Sequence, residues 1–332
     1  MIAPYPLVFE PILMEKVWGG TRLDKFGKKL PAGKKIGESW ELADLAATSA
    51  SGGGGGEARS VITNGLMKGK TLHEAVKEWS RDLMGGVKLS AAGGFPLLVK
   101  FLDAAENLSV QVHPSPAYAA ANESANLKTE CWYILHAEPG AVIYKGVKPG
   151  VTKETFAAHI KDGSVASDMI SVPAVVGECH NLPSGTCHAL GAGVLVAEVQ
   201  TPSDTTFRVF DWGRKGRELH VQQALECIDF GPAPAPPAAK LPKGKVSAQL
   251  VGTEFFKVHE SFLAAGGVVP LGESADGPRV LMVLSGSVSI RAGRDEPVAV
   301  GAGATSLVPA ALVARCSTVA KAGTRVLVVA VR

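Results

Sequence analysis

The stretch FPLLVKFLDAAENLSVQVH, residues 95–113, decides the fold class. FPLLVKFLDA and LSVQVH read as two strands, and Pro114 ends the second because proline has no N–H to give to a ladder. Residues two apart on a strand face the same way, so Gln111 and His113 share one side while Val112 packs on the other. On that shared side the Gln111 Oε1 and His113 Nε2 atoms can approach a single ion; ordinary polar strand chemistry is the plainer alternative.

Outward from this stretch the strand pattern continues. ECWYILHA (130–137), AVIYKGV (141–147), GAGVLVAEVQ (191–200) and TTFRVFDW (205–212) read as strands, the second following a Pro139-Gly140 turn. TKETFAAHI (152–160) reads as a helix capped by Thr152, and RELHVQQALECI (217–228) as another. Upstream, residues 6–30 are irregular or extended, and GESWELAD (37–44) begins a strand with charged residues on one face. ATSASGGGGGEARS (47–60) has almost nothing to bury and reads as a mobile surface loop. Thr71 and Glu74 form a capping-box pattern, with Leu72, Val76 and Trp79 on one helical face behind it.

The Pro- and Ala-rich segment FGPAPAPPAAKLPKG (230–244) favours a stiff extended linker. The predicted units are therefore a first domain over 1–230, a linker over 231–244 and a second, barrel-like unit over 245–332. In the last unit, FFKVHESFLA, RVLMVLSGSVSIRAG, GATSLVPAALVARCS and TRVLVVAVR read as short strands between Gly-rich turns, as in an antiparallel barrel or sandwich. His259 is its single histidine, which argues against an independent histidine-rich metal site there.

Composition agrees. Among 332 residues, 38 Gly and 21 Pro suit many short strands joined by turns better than a helical bundle. A net charge of +3 from nearly balanced acids and bases gives no global footprint for nucleic acid. Five cysteines without a CxxC pair argue against a disulfide framework and fit a reducing cytoplasm. The opening MIAPYPLVFEPILMEK reads as neither signal peptide nor membrane span, and no apolar run reaches the roughly 20 residues a span needs.

Two further features strengthen the Gln111–His113 signal. Glu130 opens the next strand, where it can offer a carboxylate oxygen, and GECHNLPSGTCHALG (177–191) places His188 after a β-turn, aimed into a barrel lumen. Gln111, His113, Glu130 and His188 would form a mixed nitrogen and oxygen set suited to zinc, and also to manganese, cobalt or iron.

The Gly177 to His188 segment resembles the second conserved motif of cupins. PLLVKFLDA, SVQVHP, KTECWYIL, PSGTCHALGAG, EVQTPSDTTFRVFDWGR and RELH, in this order, resemble type I mannose-6-phosphate isomerases of the compact bacterial form. The resemblance spans roughly residues 6–230, including VWGG and IGESWEL, and weakens through the C-terminal unit. It implies a mainly β fold of two cupin-like antiparallel barrels or jelly rolls, with a few short helices in the N-terminal part. It also implies interconversion of mannose 6-phosphate and fructose 6-phosphate, with one divalent ion per chain, usually zinc.

Carried onto this sequence, the resemblance makes Gln111, His113, Glu130 and His188 the metal ligands, and places Lys128, Glu198 and Arg208 at the active site. The short interval between Glu130 and His188 agrees with the compact form, which lacks a large helical insertion. GECHNLPSG stands where relatives commonly have GDFFYVPSG, so His180 is a departure.

Moving a proton between neighbouring carbons needs a base, for which the Glu198 carboxylate is the first choice; Lys128 either relays the oxygen proton or simply pairs with Glu130. Arg208 offers a planar fork for phosphate, and Arg214 and Arg217 extend the positive cluster unless they are solvated surface residues. Ser109 either donates to the phosphate or is a satisfied strand hydroxyl. Trp18 either lines the cavity mouth or is a packed core residue. Cys131 and Cys187 adjoin the ligands but point to the other face. The remaining histidines find no ligand partner in the sequence. Two rival readings remain open: a cupin that senses a sugar without turnover, and an isomerase or epimerase for another phosphorylated sugar. Whether the chain is a monomer or a homo-oligomer is not legible.

Overall fold

The computed structural model describes residues 2–49, 53–122, 125–231, 238–272, 276–294, 296–321 and 323–332. Residues 232–237 of the linker assigned to 231–244, and residues 50–52 of the Gly-rich 47–60 segment, lie outside them.

The apolar runs of the sequence become strands of several antiparallel sheets, and the site lies between two of these. The first sheet has the order Ala239–Lys240, Glu178–Leu182, Glu130–Ala137, Val194–Gln200, Leu98–Ala104, Ile12–Gly20, Ile36–Leu42. Its central strands are buried on both faces, so they read as near-continuous apolar runs, with Lys100 and Glu198 among the exceptions that need a polar partner. The second runs Met169–Pro173, Val142–Val147, His188–Leu190, Val110–Val112, Phe207–Phe210.

The C-terminal strands form a seven-stranded sheet and a three-stranded one, with Leu281, Val283, Val288, Ile290, Val326 and Val328 packed between them. The seven-stranded sheet also takes strands from the N-terminal part: Leu7–Glu10 pairs with Thr305–Val308 on one side and Val61–Ile62 on the other. Burial along this junction is shared, since Leu7, Phe101, Tyr133, Val258 and Leu327 belong to one apolar cluster. Tyr133 Oη donates to Glu260 Oε1 at 2.8 Å, and Arg325 pairs with the same carboxylate, tying the two halves by a buried polar contact.

Helices are not confined to the N-terminal part. Leu72–Met84 carries the capping box expected of Thr71 and Glu74. Lys153–Asp162 starts at the Thr152 cap, and Val221–Cys227 packs beside Phe207–Phe210. These two later helices each follow a strand of the second sheet and supply Phe156 and Ala224 to its outer core. The region read as irregular or extended at 6–30 contains the long strand Ile12–Gly20. Its VWGG end is explained by close approach: a Cβ on Gly19 would lie 2.5 Å from the backbone nitrogen of Gly37.

Candidate metal centre and active site

Strand register builds the site as two facing rows. In the second sheet, Arg208 pairs with Gln111, Gln111 with His188, and His188 with Lys145. In the first, Trp40 pairs with Lys100, Lys100 with Glu198, Glu198 with Trp132, and Trp132 with His180. Directly paired residues project to the same face.

At one end of the gap, His113, Glu130 and His188 bring one ligand atom each within 4.8 Å of one another. His113 Nε2 lies 3.3 Å from Glu130 Oε2, and His188 Nε2 lies 3.3 Å from Glu130 Oε1. All three residues are buried, yet His113 Nε2 and Glu130 Oε1 form no hydrogen bond among the described residues. Orphaned atoms of this kind carry a desolvation penalty unless another group binds them.

The other ring nitrogens are already held. His113 Nδ1 donates to Thr205 O at 2.9 Å and His188 Nδ1 to Thr186 O at 2.8 Å, which fixes the tautomer and leaves each Nε2 with a lone pair aimed inward. Gly185, with a φ of 88°, forms the turn that returns the chain to His188; a Cβ there would meet Cys227 O at 3.1 Å as well as straining the backbone.

The electrostatics keep these groups in their ligating forms. Burial, then the Lys128 charge, pushes His113 down to about 3, so its imidazole is neutral at physiological pH. Burial also lowers His188. For Glu130 burial alone would favour the acid, but Lys128 and the two histidines outweigh it and hold the carboxyl well below its ordinary range. Lys128 Nζ lies 2.9 Å from Glu130 Oε2. Gln111 closes the group, its Nε2 end 3.4 Å from His188 Nε2 and its Oε1 accepting from Ser109 Oγ at 3.1 Å. A neutral pair of imidazoles, a carboxylate and a side-chain amide suit a divalent ion of the zinc type.

Opposite the ligands, Glu198 Oε2 accepts from Trp132 Nε1 at 2.8 Å, while Oε1 has no hydrogen bond and sits 3.4 Å from Lys100 Nζ. Burial, and after it the Glu130 charge, raises the Glu198 carboxyl above its usual value. Lys100 Nζ also reaches Glu38 Oε2 at 3.3 Å and lies 4.9 Å from the Trp40 ring centre. Glu38 is held down at about 2; burial opposes this, but Lys100, Lys16 and the Trp40 indole together prevail.

These residues line a cavity with Trp18, Ser109, Lys128, Arg208 and Arg217. Its enclosed volume is about 70 Å³, a narrow slot. Arg208 Nε donates to Ser109 Oγ at 3.1 Å and Nη1 to Glu218 O at 2.8 Å. Arg214 is elsewhere engaged: its Nη2 donates to Asp211 Oδ1 at 2.6 Å and Asn107 O at 2.8 Å, and it is not among the cavity-lining residues. Arg217, also paired to Asp211, is the arginine of that loop that reaches the cavity. His180 is buried beside Trp132 and pushed down to about 4 by burial and by Lys145, so this departure from the motif sits inside the sheet stack. Cys131 and Cys187 are buried in separate apolar clusters on the far faces.

The sequence reading missed Lys100, Glu38, Trp40 and Trp132. Their signal was a charged or indole-bearing residue at alternate positions of apolar strands, visible only once the register is known.

Comparison with known proteins agrees with this geometry. The family described as phosphomannose isomerase type I, catalytic domain, matches residues 7–129. A mannose-6-phosphate isomerase from Streptococcus mutans is 38% identical over 299 residues, covering 88% of each chain. The crystal structure of the mannose 6-phosphate isomerase from Bacillus subtilis superposes with a TM-score of 0.83 at 31% identity, covering 98% of this chain and 99% of that one. The apo form from Salmonella typhimurium shares the fold, with a TM-score of 0.74 at 17% identity over 99% of this chain and 100% of that one. With this likeness along nearly its whole length, the chain belongs to the type I mannose-6-phosphate isomerases.

Proposed function

We propose that this protein interconverts mannose 6-phosphate and fructose 6-phosphate, using one divalent ion, Zn²⁺ by preference, held by Gln111, His113, Glu130 and His188. The observation that carries the reading is the set of buried, mutually facing ligand atoms, with His113 Nε2 and Glu130 Oε1 lacking a hydrogen bond, beside a Glu198 carboxyl whose proton affinity is raised. The two ends of the Gln111 amide are alike in shape, so exchanging them turns Oε1 toward His188 Nε2 and completes the ligand set. When bound, the ion supplies positive charge that stabilises negative charge developing on the substrate oxygens.

The chain's own groups do the rest. Glu198 Oε1 takes the C2 proton of the open-chain aldose; that C–H electron pair becomes the C1–C2 double bond as the C1=O pair moves onto O1, and the same carboxyl then returns the proton to C1 as the O2 electron pair forms the C2 carbonyl. A carboxyl raised by burial is a stronger base than an exposed one, and Trp132 Nε1 holds its other oxygen in place. Lys128, close to Glu130, moves the proton between the O1 and O2 oxygens. Arg208 and Arg217 attract the phosphate, with Ser109 helping to orient Arg208 and Trp18 forming part of the wall.

The fold that supports this site is read as two cupin-like barrels, with units at 1–230 and 245–332 and a linker at 231–244; the strands Leu7–Glu10 and Val61–Ile62 complete the C-terminal sheet. The cysteines carry no disulfide, in keeping with a reducing cytoplasm. The partner is a phosphorylated hexose, with neither nucleic acid nor a membrane; among the described residues no helix is long and apolar enough to cross one. The experiment is turnover of mannose 6-phosphate by the metal-loaded chain, read as fructose 6-phosphate formed. A metal-filled, folded protein that binds the sugar without converting it would belong instead to a sensing module.

A further inference from the structure

A second group of cationic side chains lies in the C-terminal half, apart from the cavity described above. On Phe256–Leu263, Lys257 and His259 are two residues apart and share one face. Their register partners are Ala330 and Val328; Ala330 pairs onward with Arg279, and Val328 with Leu281. Leu281 and Val328 belong to the aliphatic interior of the C-terminal sandwich, so Lys257, His259 and Arg279 project toward that same interior.

There the packing opens into a cavity of about 460 Å³, bordered by these three residues together with Leu271, Val328 and Asp276. Its volume lies within the roughly 300–1,000 Å³ of small-molecule sites. Arg279 is fixed as part of the wall: Nε donates to Leu271 O at 2.7 Å and Nη1 to Gly277 O at 2.6 Å. Lys257 and His259 differ from it. Both are half-buried, and among the described residues neither has a hydrogen-bond or ion-pair partner. Half-buried donors beside a fixed guanidinium have a standing demand for acceptor oxygens, which the Leu271 and Val328 side chains of the wall cannot meet. Asp276 also lies on the lining, where it favours the charged form of Arg279.

We propose that this cavity is a second ligand site, for a compact organic anion whose carboxylate or phosphate oxygens accept from Lys257 Nζ and His259 while its carbon skeleton packs on Leu271 and Val328. The donors point to anions, and the apolar wall favours one with a carbon body over a bare ion. None of these residues belongs to the metal centre, so the site stands or falls independently of the isomerase reaction.

The test is an NMR titration of the metal-loaded full chain with inorganic phosphate and, separately, with citrate, following the His259 imidazole assigned by its loss in His259→Gln. The site predicts a saturable shift of that resonance with at least one anion and an upward move of its titration midpoint, because a bound anion favours the imidazolium. A response to one anion alone supports the site and identifies the preferred oxygen donor. Lys257→Met, which keeps the aliphatic stem, should weaken binding by about tenfold or more, the scale of one charge-assisted hydrogen bond. Sugar-phosphate turnover should not change. Should Lys257→Met fold poorly, Lys257→Gln serves the same comparison. No saturable shift with either anion, or identical affinity in a well-folded Lys257 variant, would overturn the proposal.

Discussion

Glu198 and Lys100 are direct register partners on adjacent antiparallel strands, and their charged ends meet 3.4 Å apart inside the sheet stack. One ammonium thereby serves two buried carboxylates, since Lys100 also reaches Glu38 at 3.3 Å. The Lys100 charge opposes the burial and the Glu130 charge that raise the Glu198 carboxyl, and Glu198 Oε1 keeps no hydrogen bond among the described residues.

Glu198→Gln removes the base and retains the Trp132 hydrogen-bond acceptor. Turnover should fall by about a hundredfold to ten-thousandfold, the usual range for a positioned acid or base, with KM changed little. Steady-state kinetics of the metal-loaded variant checks this; unchanged turnover removes Glu198 from the role.

Lys100→Met leaves two carboxylates buried without their shared counter-charge. Breaking a buried pair this way costs roughly 3–5 kcal/mol, so urea unfolding should show a loss of that order. A loss no larger than that of an exposed lysine would contradict the geometry.

The Glu38 carboxyl gives a pH signature. Its folded value is about 2, against 4.5 for the free group, so its stabilisation is fully present above about pH 4.5 and is lost as pH falls toward 2. Across that window the native protein should lose about 3 kcal/mol more than Glu38→Gln does, read from urea midpoints at a series of pH values. Parallel curves would show that Glu38 is not held by Lys100 and Lys16.

The strand alternation of 95–113 and the segments after it was legible because burial on sheet faces imposes that pattern on neighbouring residues. The likeness to a known family then pointed to four candidate ligands, of which the structure brings His113, Glu130 and His188 within 4.8 Å of one another. What escaped notice depended on pairing between distant segments. Lys100 reads alone as one charge in an apolar run, and only its pairing with Glu198, 98 residues away, gives it meaning. Arg214 and Arg217 are equally basic in sequence; the turn after Phe210 decides which faces the cavity.

That distinction is testable. Arg217→Ala should raise KM for mannose 6-phosphate and affect unphosphorylated mannose little, whereas Arg214→Ala should leave KM nearly unchanged and act on stability through lost contacts to Asp211 and Asn107. Arg208→Ala should show the same phosphate dependence as Arg217→Ala, more strongly. Equal effects on both sugars would argue against phosphate recognition by these arginines.

Tyr133→Phe strips one hydrogen-bond donor from the buried Glu260 carboxylate between the two halves. Leaving that acceptor short costs about 1–3 kcal/mol, seen as a lower Tm with unchanged turnover. An unaltered Tm would mean that Arg325 alone satisfies Glu260.

The most direct measurement is anomalous diffraction at the zinc absorption edge from crystals of the metal-loaded protein. The account predicts a single strong peak between His113 Nε2, Glu130 and His188 Nε2, with Gln111 turned toward it. A fully active protein with no peak there, or with its metal bound elsewhere, would contradict it.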